Sequence, residues 1–207
     1  MKAAEAGLPP AAAWRARQNR SVLVQGRRVG GALSSLFERY VLCFGRKIPY
    51  LRRLGVRIGP GCQIVARVKD FGTEPWLIEI GAFVNIADGV VFVTHDGTSR
   101  IFRDRIEGGS PYGNSFGPIT IRDNCFIGLR SILMPGVTVG EGSVVGAMSL
   151  VNKDVPPGVI VSGIPARVRC TVEEYVERYR ARMIPGLPST RPELRRELTR
   201  RFWGEER

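Results

Sequence analysis

Residues 121–151 read IRDNCFIGLR-SILMPGVTVG-EGSVVGAMSL-V. Aliphatic residues fall six apart at Ile121, Ile127, Leu133, Val139, Val145 and Val151. Four positions after each of the first five stands a small residue: Cys125, Ser131, Val137, Ser143 and Ser149. Gly128, Gly140 and Gly146 directly follow three of the ruled aliphatics. A period of six matches neither the 3.6 of a helix nor the 2 of an ordinary strand. It is the hexapeptide repeat of a parallel β-helix, in which three hexapeptides make one triangular coil of about 18 residues. Each ruled aliphatic should point into the prism and stack on its equivalent one coil away, at roughly the 4.8 Å strand spacing. The small residues suit the tight corners.

The same spacing recurs upstream at Ile58 and Ile64, and again at Ile80, Ile86 and Phe92. The prism is therefore expected from about residue 55 to residue 169, with two interruptions. Residues 69–76 break the ruler briefly, and residues 94–118 break it at length with a stretch rich in Gly, Ser, Pro, Asp and Arg. A loop this long inside a regular solenoid is expected to serve function. Residues 1–54 are read as a basic helical extension that caps the open strand edge of the first coil. Residues 170–207 are read as a helical C-terminal extension. It contains a helix over 171–182, opened by Thr171 with Glu174 three residues on, and a basic helical stretch over 191–201.

Composition narrows the function classes. The 207 residues carry 31 Lys and Arg against 19 Asp and Glu, a net charge of +12. The arginines concentrate toward the termini without aromatic–basic interleaving or a helix-turn-helix pattern, so no nucleic-acid partner is expected. Peripheral contact of the basic termini with a membrane surface is an alternative use of that charge. No run of 18 apolar residues and no secretory leader is read, so a cytoplasmic protein is expected. Cys43, Cys62, Cys125 and Cys170 form no CxxC pair, and with a single histidine no metal site is expected.

That histidine, His95, lies where the ruled coil gives way to the long excursion, in Val93-Thr94-His95-Asp96-Gly97. An imidazole at the lip of a loop on a rigid scaffold suits general-base work near neutral pH.

From about Arg52 to Arg169 the chain resembles the hexapeptide-repeat acyltransferases, whose fold is a left-handed parallel β-helix. It looks most like the maltose/galactoside-type O-acetyltransferases and their exopolysaccharide-modifying relatives. The stretches that carry the likeness are Thr73-Glu74-Pro75-Trp76-Leu77-Ile78, Thr94-His95-Asp96-Gly97 with Ile101-Phe102-Arg103, and Phe116-Gly117-Pro118-Ile119-Thr120-Ile121. Others are Phe126-Ile127-Gly128, the run from Leu133 to Gly140, Val151-Asn152-Lys153-Asp154-Val155-Pro156 and Gly163-Ile164-Pro165-Ala166-Arg167-Val168. The left-handed sense is an exception to the usual right-handed crossover.

The resemblance implies an all-β fold and acetyl-CoA as co-substrate, with a hydroxyl of a sugar or glycan precursor as acceptor. It implies a homotrimer with CoA in the groove between prisms. It implies His95 as the base, with Asp96 or Glu74 orienting the imidazole. Gly128, Leu129 and Ala147 would line the pantetheine, Lys153 and Arg167 would meet the CoA phosphates, and Asn152 would be a further cofactor-binding residue. Two residues depart from the galactoside enzymes: Leu129 replaces a small residue, and His95-Asp96 replaces His-Pro. The second departure argues against assuming a galactoside acceptor. N-acetylation of an amino-sugar, acetylation of a xenobiotic, and a non-catalytic scaffold binding protein or an anionic surface are the competing readings.

Overall fold

A computed structural model describes residues 47–98 and 115–204. Much of the N-terminal extension and most of the long excursion lie outside the described residues. Within them, the ruler becomes a parallel β-helix of very short strands stacked into three sheets. The first face is β1 (Arg57–Ile58), β3 (Ile78–Ile80), β8 (Ile119–Ile121) and β11 (Thr138–Val139), side by side in that order. The second runs from β2 (Gln63–Ile64) through β4 (Asn85–Ile86), β9 (Phe126–Ile127) and β12 (Val144–Val145) to β14 (Val159–Ser162). The third is β5 (Val91–Phe92), β10 (Ile132–Leu133) and β13 (Leu150–Val151).

The registers keep the ruled residues in column. Ile121 lies beside Val139, Ile127 beside Val145 and Leu133 beside Val151, each 18 positions apart. The brief interruption lengthens its coil by four residues, since Ile58 pairs with Ile80. The excursion lengthens the next, and still Ile80 pairs with Ile121 and Phe92 with Leu133. Insertions thus leave at a corner without shifting the strands, because a one-residue slip would turn every inward side chain outward.

The columns are dry. Ile80, Ile86, Phe92, Ile121, Ile127, Leu133, Val139, Val145 and Val151 are all buried. In the first coil the third column is filled by Phe71, from a 3-10 turn over Val68–Phe71, which stacks on Phe92 with ring centroids 4.7 Å apart. The corners explain the small residues. The Ser131 hydroxyl donates to the carbonyls of Gly128 (2.8 Å) and Gly146 (3.0 Å), and the Ser143 hydroxyl donates to that of Pro156 (2.6 Å). The Cys125 thiol donates to the Gly140 carbonyl at 3.1 Å. These short polar side chains donate to turn carbonyls at the corners, where the ladder bonds are interrupted.

Both ends of the coil stack are covered. The helix Lys47–Arg53 buries Leu51, and the Lys47 ammonium donates to the carbonyls of Ile64, Val65 and Ala66 at 3.0–3.1 Å. At the far end β15 (Arg167–Thr171) pairs antiparallel with β14, ending the parallel order. Thr171 then opens the helix Val172–Tyr179 through a reciprocal capping box with Glu174. A second helix, Arg191–Trp203, follows.

Candidate active site

The site forms where the two interruptions leave the same corner. After β5 the chain makes a two-residue strand, β6 (His95–Asp96), which pairs antiparallel with β7 (Ser115–Phe116), so His95 faces Phe116. The Gly117 amide donates to the Thr94 carbonyl at 3.0 Å, closing the base of the excursion. The brief interruption delivers Glu74, which begins a 3-10 turn over Pro75–Leu77.

His95 Nδ1 lies 2.8 Å from Glu74 Oε2. The buried hydroxyl of Thr94 donates to the same oxygen at 2.7 Å, and the Thr73 hydroxyl donates to Oε1 at 2.7 Å. Partial burial alone would raise the Glu74 pKa, but the bonds from Thr94, Thr73 and His95, with the attraction of the imidazole, outweigh it and hold the carboxyl below its ordinary range. An ionised carboxylate only accepts, so the imidazole proton sits on Nδ1 and the Nε2 lone pair is left for proton transfer. Among the described residues Nε2 makes no hydrogen bond. The imidazole is one-third exposed and tilts over Phe116, ring centroids 5.6 Å apart.

Asp96 is the other acidic residue that the sequence offered. Its exposed carboxylate accepts from the Thr98 hydroxyl and from the Thr98 amide, the latter at 2.8 Å, and these bonds lower its pKa. It stabilises the start of the loop and feels the charge of the imidazole, but it makes no hydrogen bond to it. Adjacent residues of a strand point to opposite sides, which keeps Asp96 off the Glu74 side of His95.

Of the remaining sequence-picked residues, Gly128, Leu129 and Ala147 lie at the corner between the second and third faces, whereas Asn152 and Lys153 leave the third face at the same corner as His95, two coils further on. Gly128 and Ala147 stack directly. A Cβ on Gly128 would meet the Ala147 nitrogen at 2.6 Å, and the Met148 amide donates to the Leu129 carbonyl at 2.8 Å. Leu129 is about half exposed. The Gly163–Ala166 segment lies across the same region: the Leu150 amide donates to the Gly163 carbonyl and the Ala166 amide to the Leu150 carbonyl. Arg167 leaves this segment, and Asn152 and Lys153 leave β13; all three side chains are exposed. Arg169 is instead tied to Ser162 by two bonds of 3.0 Å. The sequence reading passed over Thr73 and Thr94 as functional groups, and over Phe116 as the ring beside the imidazole. Two hydroxyls flanking a lone acid and a lone histidine were the available signal.

Among the described residues no group of three or more His, Cys, Asp or Glu side chains is placed to hold a metal ion. No described helix is long and apolar enough to cross a membrane.

A profile described as the hexapeptide repeat of succinyl-transferase matches residues 118–151. The chain is 46% identical over 126 residues to protein CapG of Staphylococcus aureus, covering 60% of this chain and 71% of that protein. It is 45% identical over 62 residues to the galactoside O-acetyltransferase of Escherichia coli K12, but covers only 30% of that enzyme. Among solved structures, the hexapeptide-repeat acetyltransferase VCA0836 of Vibrio cholerae, complexed with acetyl-CoA, aligns over 56% of this chain and 60% of its own. Its identity is 30% and its TM-score 0.43. A galactoside acetyltransferase in complex with CoA aligns over 64% of this chain and 73% of its own, with 21% identity and a TM-score of 0.43. The chain belongs to the hexapeptide-repeat acyltransferase superfamily.

Proposed function

We propose that this acyltransferase is an acetyl-CoA-dependent O-acetyltransferase whose acceptor is a hydroxyl of a sugar or glycan precursor. The observation that carries the reading is the His95–Glu74 pair, an imidazole anchored at Nδ1 whose Nε2 has no hydrogen-bond partner among the described residues. A curated relative named galactoside O-acetyltransferase supports the hydroxyl acceptor.

In the proposed reaction Nε2 of His95 takes the proton of the acceptor hydroxyl as its oxygen attacks the thioester carbonyl. The new C–O bond forms, the C–S bond breaks, and the imidazolium returns its proton to the departing CoA thiolate. Glu74 holds the tautomer and stabilises the imidazolium. Its three donors keep it anionic throughout, so the net proton movement is between acceptor, His95 and CoA. The chain has no second histidine to act as a covalent relay, which favours direct attack in a ternary complex.

In this reading the coil is left-handed and three prisms assemble into a cyclic trimer, with CoA along the groove between two of them. Gly128, Leu129 and Ala147 flank the pantetheine, and Lys153 and Arg167, exposed beside the last coil, meet the phosphates as Lys and Arg commonly do. The domain boundaries are a basic extension to residue 54, the prism over 55–169 and a helical tail beyond it.

The test is a free-thiol assay of acetyl-CoA turnover against nucleotide sugars, oligosaccharides, amino-sugars and simple alcohols, together with light scattering. Acceptor-dependent CoA release with sugar hydroxyls from a trimer is the expected result. Release only with amines, or activity from a monomer, would overturn the proposal.

A further inference from the structure

On the first face of the prism, where the chain continues from Glu74 and from Phe116, lies a cleft of about 130 Å³. Its floor follows from the β register. Arg57 lies beside Glu79, and Glu79 beside Thr120, while their neighbours Ile58, Ile80 and Ile121 turn inward. Strand alternation therefore puts Arg57, Glu79 and Thr120 in one outward row. The Arg57 guanidinium donates to Glu79 at 3.0 Å, so the two charges compensate each other. The walls are Trp76 with Leu77 on one side and Pro118 on another.

Both walls come from the segments that hold the base. Trp76 follows Glu74 by two residues within the 3-10 turn that Glu74 opens. Pro118 follows Phe116, the ring beside His95, and Gly117, whose amide is bonded to Thr94. Trp76 is 58% exposed and presents its ring as an apolar wall of the cleft. Its backbone is held against Gly55, where a Cβ would lie 2.8 Å from the Trp76 Cβ.

We infer that this cleft is the acceptor subsite and takes a neutral pyranose ring, stacked by its C–H face on Trp76 with its hydroxyls on Arg57, Glu79 and Thr120. The inference rests on the reading of His95 as the base of an acetyl transfer to sugar. A pyranose is apolar on its ring faces and hydroxylated at its rim, and the cleft is apolar at Trp76, Leu77 and Pro118 and polar along one row. The Arg57–Glu79 pair offers both donors and acceptors to vicinal hydroxyls. Its internal neutralisation disfavours a phosphate or carboxylate there. Among the described residues no imidazole or thiol lines the cleft, so it binds the acceptor while His95, held by the segments that adjoin its walls, does the chemistry.

The experiment is saturation-transfer NMR on the full chain with methyl β-glucopyranoside, methyl β-galactopyranoside and methyl α-mannopyranoside, with AMP and glycerol as comparators. At least one pyranoside should take up saturation, strongest at the C–H protons of one ring face. The signal should vanish in Trp76→Ala, persist at reduced strength in Trp76→Phe and survive in His95→Ala. For the pyranoside that binds, the acceptor KM of acetyl transfer should rise at least tenfold in Trp76→Ala while the KM for acetyl-CoA stays put. Absence of saturation for every pyranoside, equal saturation in Trp76→Ala, or preference for AMP would overturn the inference. Undiminished acetyl transfer in His95→Ala would instead overturn the catalytic reading and leave the binding result standing, so the two failures are separable.

Discussion

His95 Nδ1 and Glu74 Oε2 lie 2.8 Å apart although 21 residues separate them in the chain. The contact exists because one coil ends where the other begins its detour. Glu74 accepts three bonds and is ionised, so it fixes which imidazole nitrogen is basic. Glu74→Gln keeps the shape and removes the charge, and a carboxamide can present either an acceptor or a donor to Nδ1. We expect kcat to fall by roughly 10²-fold or more, bounded by the ~10⁴-fold known for a carboxylate that orients a catalytic imidazole. The KM for acetyl-CoA should change little. Glu74→Asp should recover less than a tenth of the activity, since it shortens the reach. Wild-type kcat in Glu74→Gln would remove Glu74 from the mechanism.

The lowered Glu74 pKa also makes a stability statement. A carboxyl whose pKa is lower folded than unfolded stabilises the fold when ionised. That contribution is fully present above the ordinary value of 4.5 and is lost as pH falls through the lowered folded value. Melting temperatures of wild type and Glu74→Gln, compared from pH 7 down to pH 3, should converge in the acid range. A gap that widens on acidification would contradict the hydrogen-bond assignment.

His95→Ala removes the chain's single histidine, so no neighbouring imidazole substitutes for it. Loss of a general base costs a factor of roughly 10² to 10⁴ in turnover, or about 3–5 kcal/mol of barrier. The variant should fold normally, because His95 lies outside the buried columns. Calorimetric titration should return wild-type CoA affinity. Retained CoA binding with turnover within a few-fold of wild type would assign the base elsewhere.

The prism was legible because burial imposes its period directly on Ile121 through Val151. The Thr171–Glu174 capping box was legible because it is local. Phe71 was not, since a 3-10 turn inside the first interruption carries it into the third column off the six-residue count. The choice between Asp96 and Glu74 stayed open in the sequence because adjacency in the chain favours Asp96. What decides the contact is strand alternation at His95–Asp96 and the four extra residues of the coil that brings Glu74 round. Arg57, Trp76 and Thr120 lie far apart in sequence, and only the stacking register gathers them.

Lys153 and Arg167 supply exposed charge beside the last coil, so they should act on CoA affinity more than on chemistry. Lys153→Ala and Arg167→Ala should each raise the KM for acetyl-CoA with kcat nearly unchanged, the signature of lost uniform binding. An unchanged KM in both would place the phosphates elsewhere. Arg169, tied to Ser162, is the less available substitute.

Gly128 separates structure from function within one corner. It is buried, and an added Cβ would meet the Val145 oxygen and the Ala147 nitrogen at 2.6 Å, and the Gly146 carbonyl carbon at 2.8 Å. These are backbone atoms of the next coil, held by the ladder between Phe126–Ile127 and Val144–Val145, so they cannot swing aside. Gly128→Ala must push adjacent coils away from each other locally, an overpacking cost of about 1–3 kcal/mol. In a chain of this length that corresponds to a Tm lower by roughly 2–4 °C for each kcal/mol. Gly97→Ala is the matched control, because a Cβ there meets nothing within 4 Å. Differential scanning calorimetry should show a clear loss for Gly128→Ala and none for Gly97→Ala. If Gly128→Ala melts with wild type yet weakens CoA binding, the glycine serves the pantetheine; if it melts early, coil stacking is what demands it.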